Sequence, residues 1–232
     1  MNNPNDRQIG IQEPIFPEWA GTVYLWTGIA IGAAYLVVDM AIVSMPGMAI
    51  FKTLGIVLLA GYALFSRHIM ATIALALSAC GDYALAMQPQ QFLAGMFFFA
   101  GAHFIYAAAF WAMIQKNGRR DNAVFFLIPL LLISALIWVW LRADLGEMLL
   151  PVSLYLIVIA FMAGSAMLSR AGQSVLLGAI LFMVSDALIA IEMFKGIQIS
   201  WLGLNLMDGA IWGLYFSAQV LLAMGLVAEK SK

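Results

Sequence analysis

The chain has 232 residues, 64% hydrophobic and only 10% charged, with a mean hydropathy of +0.97. Soluble domains carry about 45–50% apolar and about 25% charged residues, so a soluble fold, a disordered chain and a nucleic-acid module are all excluded, and the solvent is lipid. A net charge of −1 points to no polyanionic partner, and one cysteine with two histidines leaves little for a disulfide or a transition-metal site.

In chain order, residues 1–18 form a polar tail with Asp6, Arg7, Glu13, Glu18 and three prolines, unlike a cleavable signal peptide. Eight apolar stretches follow, at about 19–43, 48–65, 68–87, 91–115, 122–141, 147–169, 174–194 and 199–227. Each approaches or exceeds the ~20 residues a helix needs to cross the hydrocarbon core, and twice the ~10 of a membrane strand. The expected fold class is all-α: a polytopic membrane bundle of eight transmembrane helices. Residues 19–227 make one membrane domain and 228–232 a short basic tail. Arg7, Arg67, Lys116, Arg119, Arg120, Arg170, Lys230 and Lys232 fall on the side of the termini, against Arg142 and Lys195 opposite. The positive-inside rule therefore predicts both termini in the cytoplasm.

An ionisable side chain in mid-span costs roughly 2.5–3.5 kcal/mol on insertion scales, so each one within a span needs a reason. Asp39, Lys52, Asp82, His103, Asp186 and Asp208 lie within spans, and Glu192 lies near a helix end. Asp39 and Lys52 read either as structural residues, an ion pair or snorkelling termini, or as site residues, Glu192 reads as a solvated group, and His103 as either an interior histidine or a site residue. Asp82 follows Gly81 in the third span and Asp186 follows Ser185 in the seventh, and both spans run in the same direction. The small residue before each acid permits close helix approach, so the two are expected to share a cavity; hydrogen bonds bridging helices are the structural alternative. In the eighth span, Asn205, Asp208, Trp212, Tyr215 and Gln219 recur at helical spacing and share one face. Phe99, His103, Tyr106 and Phe110 do likewise in the fourth. The nearly equal intervals from Asp82 to His103 and from Asp186 to Asp208 hint at a weak parallel four-plus-four repeat.

The strings GDYALAM, QFLAGMFFFAGAHFIYAAAFW, GAILFMVSDALIAIEMF and YFSAQ resemble the YhhN-like lysoplasmalogenase family, multi-pass membrane hydrolases that cleave the vinyl ether bond of lysoplasmalogens. The resemblance covers spans two to eight. It implies a lysophospholipid substrate within the lipid bilayer, no cofactor or metal, and a bacterial inner-membrane location. The family's GD and SD acids match Asp82 and Asp186, its H-x-x-Y matches His103 and Tyr106, and its late Y-x-x-A-Q matches Tyr215 and Gln219. Its early lysine-proline pair is met only by Lys52, since Thr53 follows, and Asp39 and Asp208 match nothing in the pattern.

Vinyl ether hydrolysis proceeds by protonation of the alkene carbon, an oxocarbenium ion, addition of water and collapse of a hemiacetal. It calls for one carboxylic acid and a second group that stabilises the cation or activates water, a division that glycosidases also use. Asp82 and Asp186 are the expected catalytic pair, with His103, Tyr106, Ser185, Tyr215 and Gln219 binding or orienting and Lys52 on the lipid phosphate. A secondary transporter or proton-coupled carrier using the same Asp and His as a relay is the alternative. An intramembrane aspartyl protease needs a glycine where Ala79 stands, and a retinal protein has only Lys52 within a span to bind its cofactor.

Overall fold

Lipid offers no partner to a bare backbone N–H or C=O, so each apolar run closes its own hydrogen bonds as a helix. The computed structural model describes residues 18–41, 47–87 and 89–230. Its helices are α1 (Glu18–Met40), α2 (Met48–Phe65), α3 (Ile69–Ala86), α4 (Phe92–Asn117), α5 (Val124–Leu141), α6 (Leu149–Leu168), α7 (Gln173–Lys195) and α8 (Leu206–Lys230). All eight are long and apolar enough to cross a membrane. The polar tail expected at 1–18 lies, but for its last residue, outside the described residues, as do Ile42 and Val43 at the end of the first expected span. Of the expected tail at 228–232, residues 228–230 continue α8 and the last two lie outside the described residues.

The one large shift in a boundary is at α8, which begins at Leu206 instead of 199. Ser200–Trp201 (β1) and Leu204–Asn205 (β2) pair antiparallel across Leu202 and Gly203, whose φ values of 50° and 79° fit the two-residue turn that matches strand twist. Asn205 then caps the helix. Its Oδ1 accepts from the N–H groups of Met207 and Asp208 at 3.1 and 3.2 Å, so it heads the polar stripe as a cap and not as a helical face residue.

The helices close into a ring. α1 to α4 pack in chain order, α4 then meets α6, α6 meets α7, α7 meets α8, and α8 returns to α1 while also reaching α2 and α3. α5 stands outside this ring, against α6 and α7. It is the least enclosed span and α8 the most, and Phe125, Ile128, Leu131 and Leu136 of α5 face outward. This order does not display a parallel four-plus-four repeat. With eight spans, the start of α1 and the end of α8 lie at one face of the bundle, the terminal face. The far face carries the α1–α2, α3–α4, α5–α6 and α7–α8 connections.

At the terminal face the α4–α5 and α6–α7 connections are tied by arginines. Arg120 donates to the carbonyls of Ser169 and Ala171 at 3.2 and 2.8 Å, and Arg170 donates to the Arg119 carbonyl and to Asp121. The Arg120 backbone N–H also reaches the Leu168 carbonyl that the end of α6 leaves bare, at 2.8 Å. Between helices, small residues set the spacing. A Cβ on Gly178 of α7 would stand 2.9 Å from Leu222 Cγ and 3.1 Å from the Ala218 carbonyl oxygen of α8. Leu222 can rotate but the α8 backbone cannot, so Gly178→Ala is expected to destabilise the protein by about 1–3 kcal/mol despite its better helix propensity. Thermal unfolding of the detergent-solubilised protein checks this, with Gly101→Ala as a control. The nearest atom to the added methyl there is the movable end of Leu77, at 3.4 Å.

Candidate active site

A polar side chain on an apolar helix must find its partner on a neighbouring helix. Two networks meet this need in the half of the bundle nearer the far face. In the first, Tyr155 of α6 donates its hydroxyl to Asp186 Oδ2 of α7 at 2.5 Å. His103 Nε2 of α4 lies 3.2 Å from that same oxygen and 3.0 Å from the Tyr155 oxygen. With its proton on Nε2 the imidazole donates toward both. Its ring is fully buried, edge-on to Phe182 at 4.5 Å, and Nδ1 has no protein partner among the described residues. Both donors converge on Oδ2, and no described protein group bonds Oδ1 of Asp186.

In the second network, Tyr215 of α8 donates to Asp82 Oδ2 of α3 at 2.6 Å. Tyr106 of α4 donates to Gln219 Oε1 of α8 at 2.8 Å, and Gln219 Nε2 has no protein partner among the described residues. Tyr106, His103 and Gln219 are fully buried. Phe99 and Phe182 stand edge-on to Tyr215, with centroids at 5.7 and 5.3 Å, and edge-on to each other. Phe182 touches both the Tyr215 and the His103 rings, so it packs at the junction of the two networks. Gly81 makes room for this arrangement, since a Cβ there would lie 2.7 Å from the Phe99 ring.

Asp82 and Asp186 sit in separate hydrogen-bond networks with different access. Asp82 is 1% exposed, whereas the Asp186 side chain is 12% exposed and lines two cavities. One cavity, of about 50 Å³, lies among α3, α4, α6 and α7 and is walled by Leu85, Phe92, Met96 and Phe99. The other, of about 60 Å³, lies among α5, α6 and α7 and is walled by Ile137, Leu141, Leu156 and Ile159. Val152, Tyr155, Asp186 and Ala190 belong to both, so the α6–α7 seam is the partition between them. Both are narrow clefts, well below the ~300–1,000 Å³ of whole small-molecule sites.

The remaining candidates lie elsewhere. Ser185 Oγ donates to the Ile211 carbonyl at 2.9 Å and so clasps α7 to α8. Lys52 Nζ stands over the Trp212 ring, 5.5 Å from its centroid. Asp39 is held by the Tyr35 hydroxyl at 2.9 Å, not by Lys52. Glu192 is half-buried beside Asp208 and Gln198 and lines an open space at the far face. Among the described residues no three His, Cys, Asp or Glu side chains gather as metal ligands.

Tyr155 is the site residue that the sequence did not single out. It sits uncharged in PVSLYLIV and belongs to no polar stripe. Its one signal is a hydroxyl in mid-membrane, which needs a partner as surely as a charge does. The assembled group suits proton transfer. A carboxyl is fixed through one oxygen by two donors, its other oxygen is free of protein bonds, and it forms part of a cavity wall within hydrogen-bond reach of an imidazole and a phenol.

The YhhN family model matches residues 47–226 of the chain. A lysoplasmalogenase of Bos taurus is 31% identical over 169 residues, covering 68% of this chain and 65% of that protein. Lysoplasmalogenases of Mycobacterium bovis and Mycobacterium tuberculosis are each 28% identical over 157 residues, covering 66% of this chain and 58% of the relative. The chain thus spans less than two thirds of the length of these relatives. No solved structure matches it.

The difference in access between the two acids is measurable. A lipid-soluble carbodiimide, which modifies carboxyl groups from the hydrocarbon phase, is expected to label Asp186 and spare Asp82. Peptide mass spectrometry after limited reaction reads the outcome, and equal labelling of both would contradict the closed setting of Asp82.

Proposed function

The chain belongs to the YhhN family, and on that premise we propose that it is a membrane hydrolase cleaving the vinyl ether bond of lysoplasmalogens to a fatty aldehyde and a glycerophospho-base. The observation that carries this reading is Asp186, held by Tyr155 and His103 at the partition between two apolar cavities inside the bundle. The names of the three relatives support the same activity.

In the proposed reaction the Asp186 carboxyl gives its proton to the alkene carbon remote from the ether oxygen. The π electrons form the new C–H bond, and the other carbon becomes an oxocarbenium ion. Water adds to that carbon and passes a proton to the Asp186 carboxylate, which restores the acid. The resulting hemiacetal loses its hydroxyl proton as its bond to the glycerol oxygen breaks. The glycerol oxygen takes up a proton, and the aldehyde is released. Tyr155 and His103 hold Oδ2 so that Oδ1 meets the substrate, a service that hydrogen bonds to a charged group perform at about 1.5–3 kcal/mol each. Asp82, behind Phe99 and Phe182, is the second acid. It is sealed from both cavities and held in place by the Tyr215 hydroxyl. Lys52, over Trp212, is the cation for the lipid phosphate. The excess of Lys and Arg at the terminal face puts that face in the cytoplasm and the site in the outer half of the membrane. Ser185 is spent on the α8 backbone and stays outside the reaction.

The test is aldehyde release by the detergent-purified protein from vinyl-ether and acyl lysophospholipids side by side. Release from the vinyl ether alone is expected, and release from neither would favour the carrier reading. Asp186→Asn is expected to lower kcat by about 10²–10⁴-fold, the usual yield of general acid–base catalysis, with the melting temperature little changed. Tyr155→Phe keeps the ring and removes one hydrogen bond, so kcat is expected to fall roughly 10–100-fold. Near-wild-type turnover by Asp186→Asn would remove that residue from the mechanism.

A further inference from the structure

The two cavities flanking the α6–α7 seam are chemically unequal beyond the residues they share. The cavity among α3, α4, α6 and α7 shares Leu85, Phe92 and Ile189 with a space of about 340 Å³ at the far face, where Gln90, Glu192 and Gln198 stand. It therefore leads to a polar mouth. The cavity under α5 offers only two polar side chains besides Tyr155 and Asp186, and both are engaged. Ser134 Oγ donates to the Leu130 carbonyl at 2.7 Å, and Trp138 Nε1 donates to Ser153 Oγ at 2.9 Å. Beyond Asp186 and Tyr155 at its seam, the slot leaves no free donor for a polar ligand, and its other walls are apolar. What fits such a space is hydrocarbon.

We propose that the cavity under α5 binds the alkenyl chain of the substrate, with the chain passing over Tyr155 and Asp186 at the α6–α7 seam and the glycerophospho end directed to the polar mouth. The identity of the chain rests on the hydrolase reading above, whereas the site itself rests on the cavity. The geometry accounts for the place of α5. This outermost helix forms one wall of the slot through Ile137 and Leu141 and otherwise faces outward, so the slot lies one helix away from the bilayer that supplies the lipid. The slot runs from Val152 to Ile159 along α6, a depth of ~10 Å at 1.5 Å per residue. Chains longer than this extend past its end beside α5.

Two measurements test this. The first uses a saturated 1-O-hexadecyl lysophosphatidylethanolamine carrying a mid-chain diazirine, photolysed with the wild-type protein in detergent. Label is expected on Ile137, Leu141, Leu156 or Ile159, and excess unlabelled lysolipid is expected to displace it. Label that is not displaced, or that is confined to outward residues such as Leu132 and Val139 or to the α2–α4 groove around Val57 and Phe98, overturns the proposal. The second compares four-carbon and sixteen-carbon vinyl-ether lysolipids in Ile137→Trp, whose added ring occupies the slot from α5. Tenfold or greater loss of kcat/KM for the long chain is expected, with less than twofold change for the short one. Equal loss, or none, in a variant that melts like wild type overturns the proposal. Should the wild type turn over no vinyl ether while the slot label is still displaced, the hydrolase reading fails and the slot stands as a lipid-chain site.

Discussion

Two tyrosine hydroxyls, each donating to one aspartate on a neighbouring helix, are the bonds on which the interior of this protein depends. A carboxylate within hydrocarbon has no water to turn to, and left alone it costs several kcal/mol. Tyr155 answers Asp186 across the α6–α7 seam, and Tyr215 answers Asp82 between α8 and α3. Each bond pins two helices at a fixed height and rotation. The rest of the polar interior arranges itself around them, His103 on the first and Gln219 with Tyr106 on the second.

Similar bonds produce unlike environments because the packing around them differs. The α3–α8 junction is filled by Phe99, Phe182 and the Trp212–Tyr215 face, so Asp82 is sealed. The α6–α7 seam has a cavity on each side, so Asp186 keeps a route to a ligand. One acid is thereby suited to touch a ligand, and the other is closed to it. An apolar passage beside a fixed acid is also what a single-chain lipid requires, since its tail can stay in a hydrocarbon setting while the bond to be broken reaches the carboxyl.

The far face completes the arrangement. Glu192, Asp208 and Asp39 come together there from α7, α8 and α1, and Lys52 of α2 lies over Trp212. Tyr35 and Asn205 take up Asp39 and Asp208. These residues come from four helices and are brought together only because α8 fills the space between α1, α2 and α7. The β1–β2 hairpin sets where α8 starts and hence the height at which Asp208, Trp212 and Tyr215 meet their partners.

Much of this was legible in the sequence. Length and hydropathy alone determined eight spans, because crossing hydrocarbon is a local demand on some twenty consecutive residues. Charge in mid-span marked Asp82, His103 and Asp186, because each is costly wherever its helix packs. Partner choice was not legible. Tyr155 and Asp186, or Tyr215 and Asp82, become neighbours only when the ring closes in the order α4, α6, α7, α8, with α5 left outside. That order depends on which helix faces fit together over long sequence separations. The same reason explains why two similar small-Asp motifs ended in different settings, and why Asn205 became a cap and Ser185 a clasp. The sequence by itself determined which side chains had to find partners in the membrane. Only the tertiary structure decided which partners they found and which acid kept an open side, because burial and access belong to the packing of all the helices together.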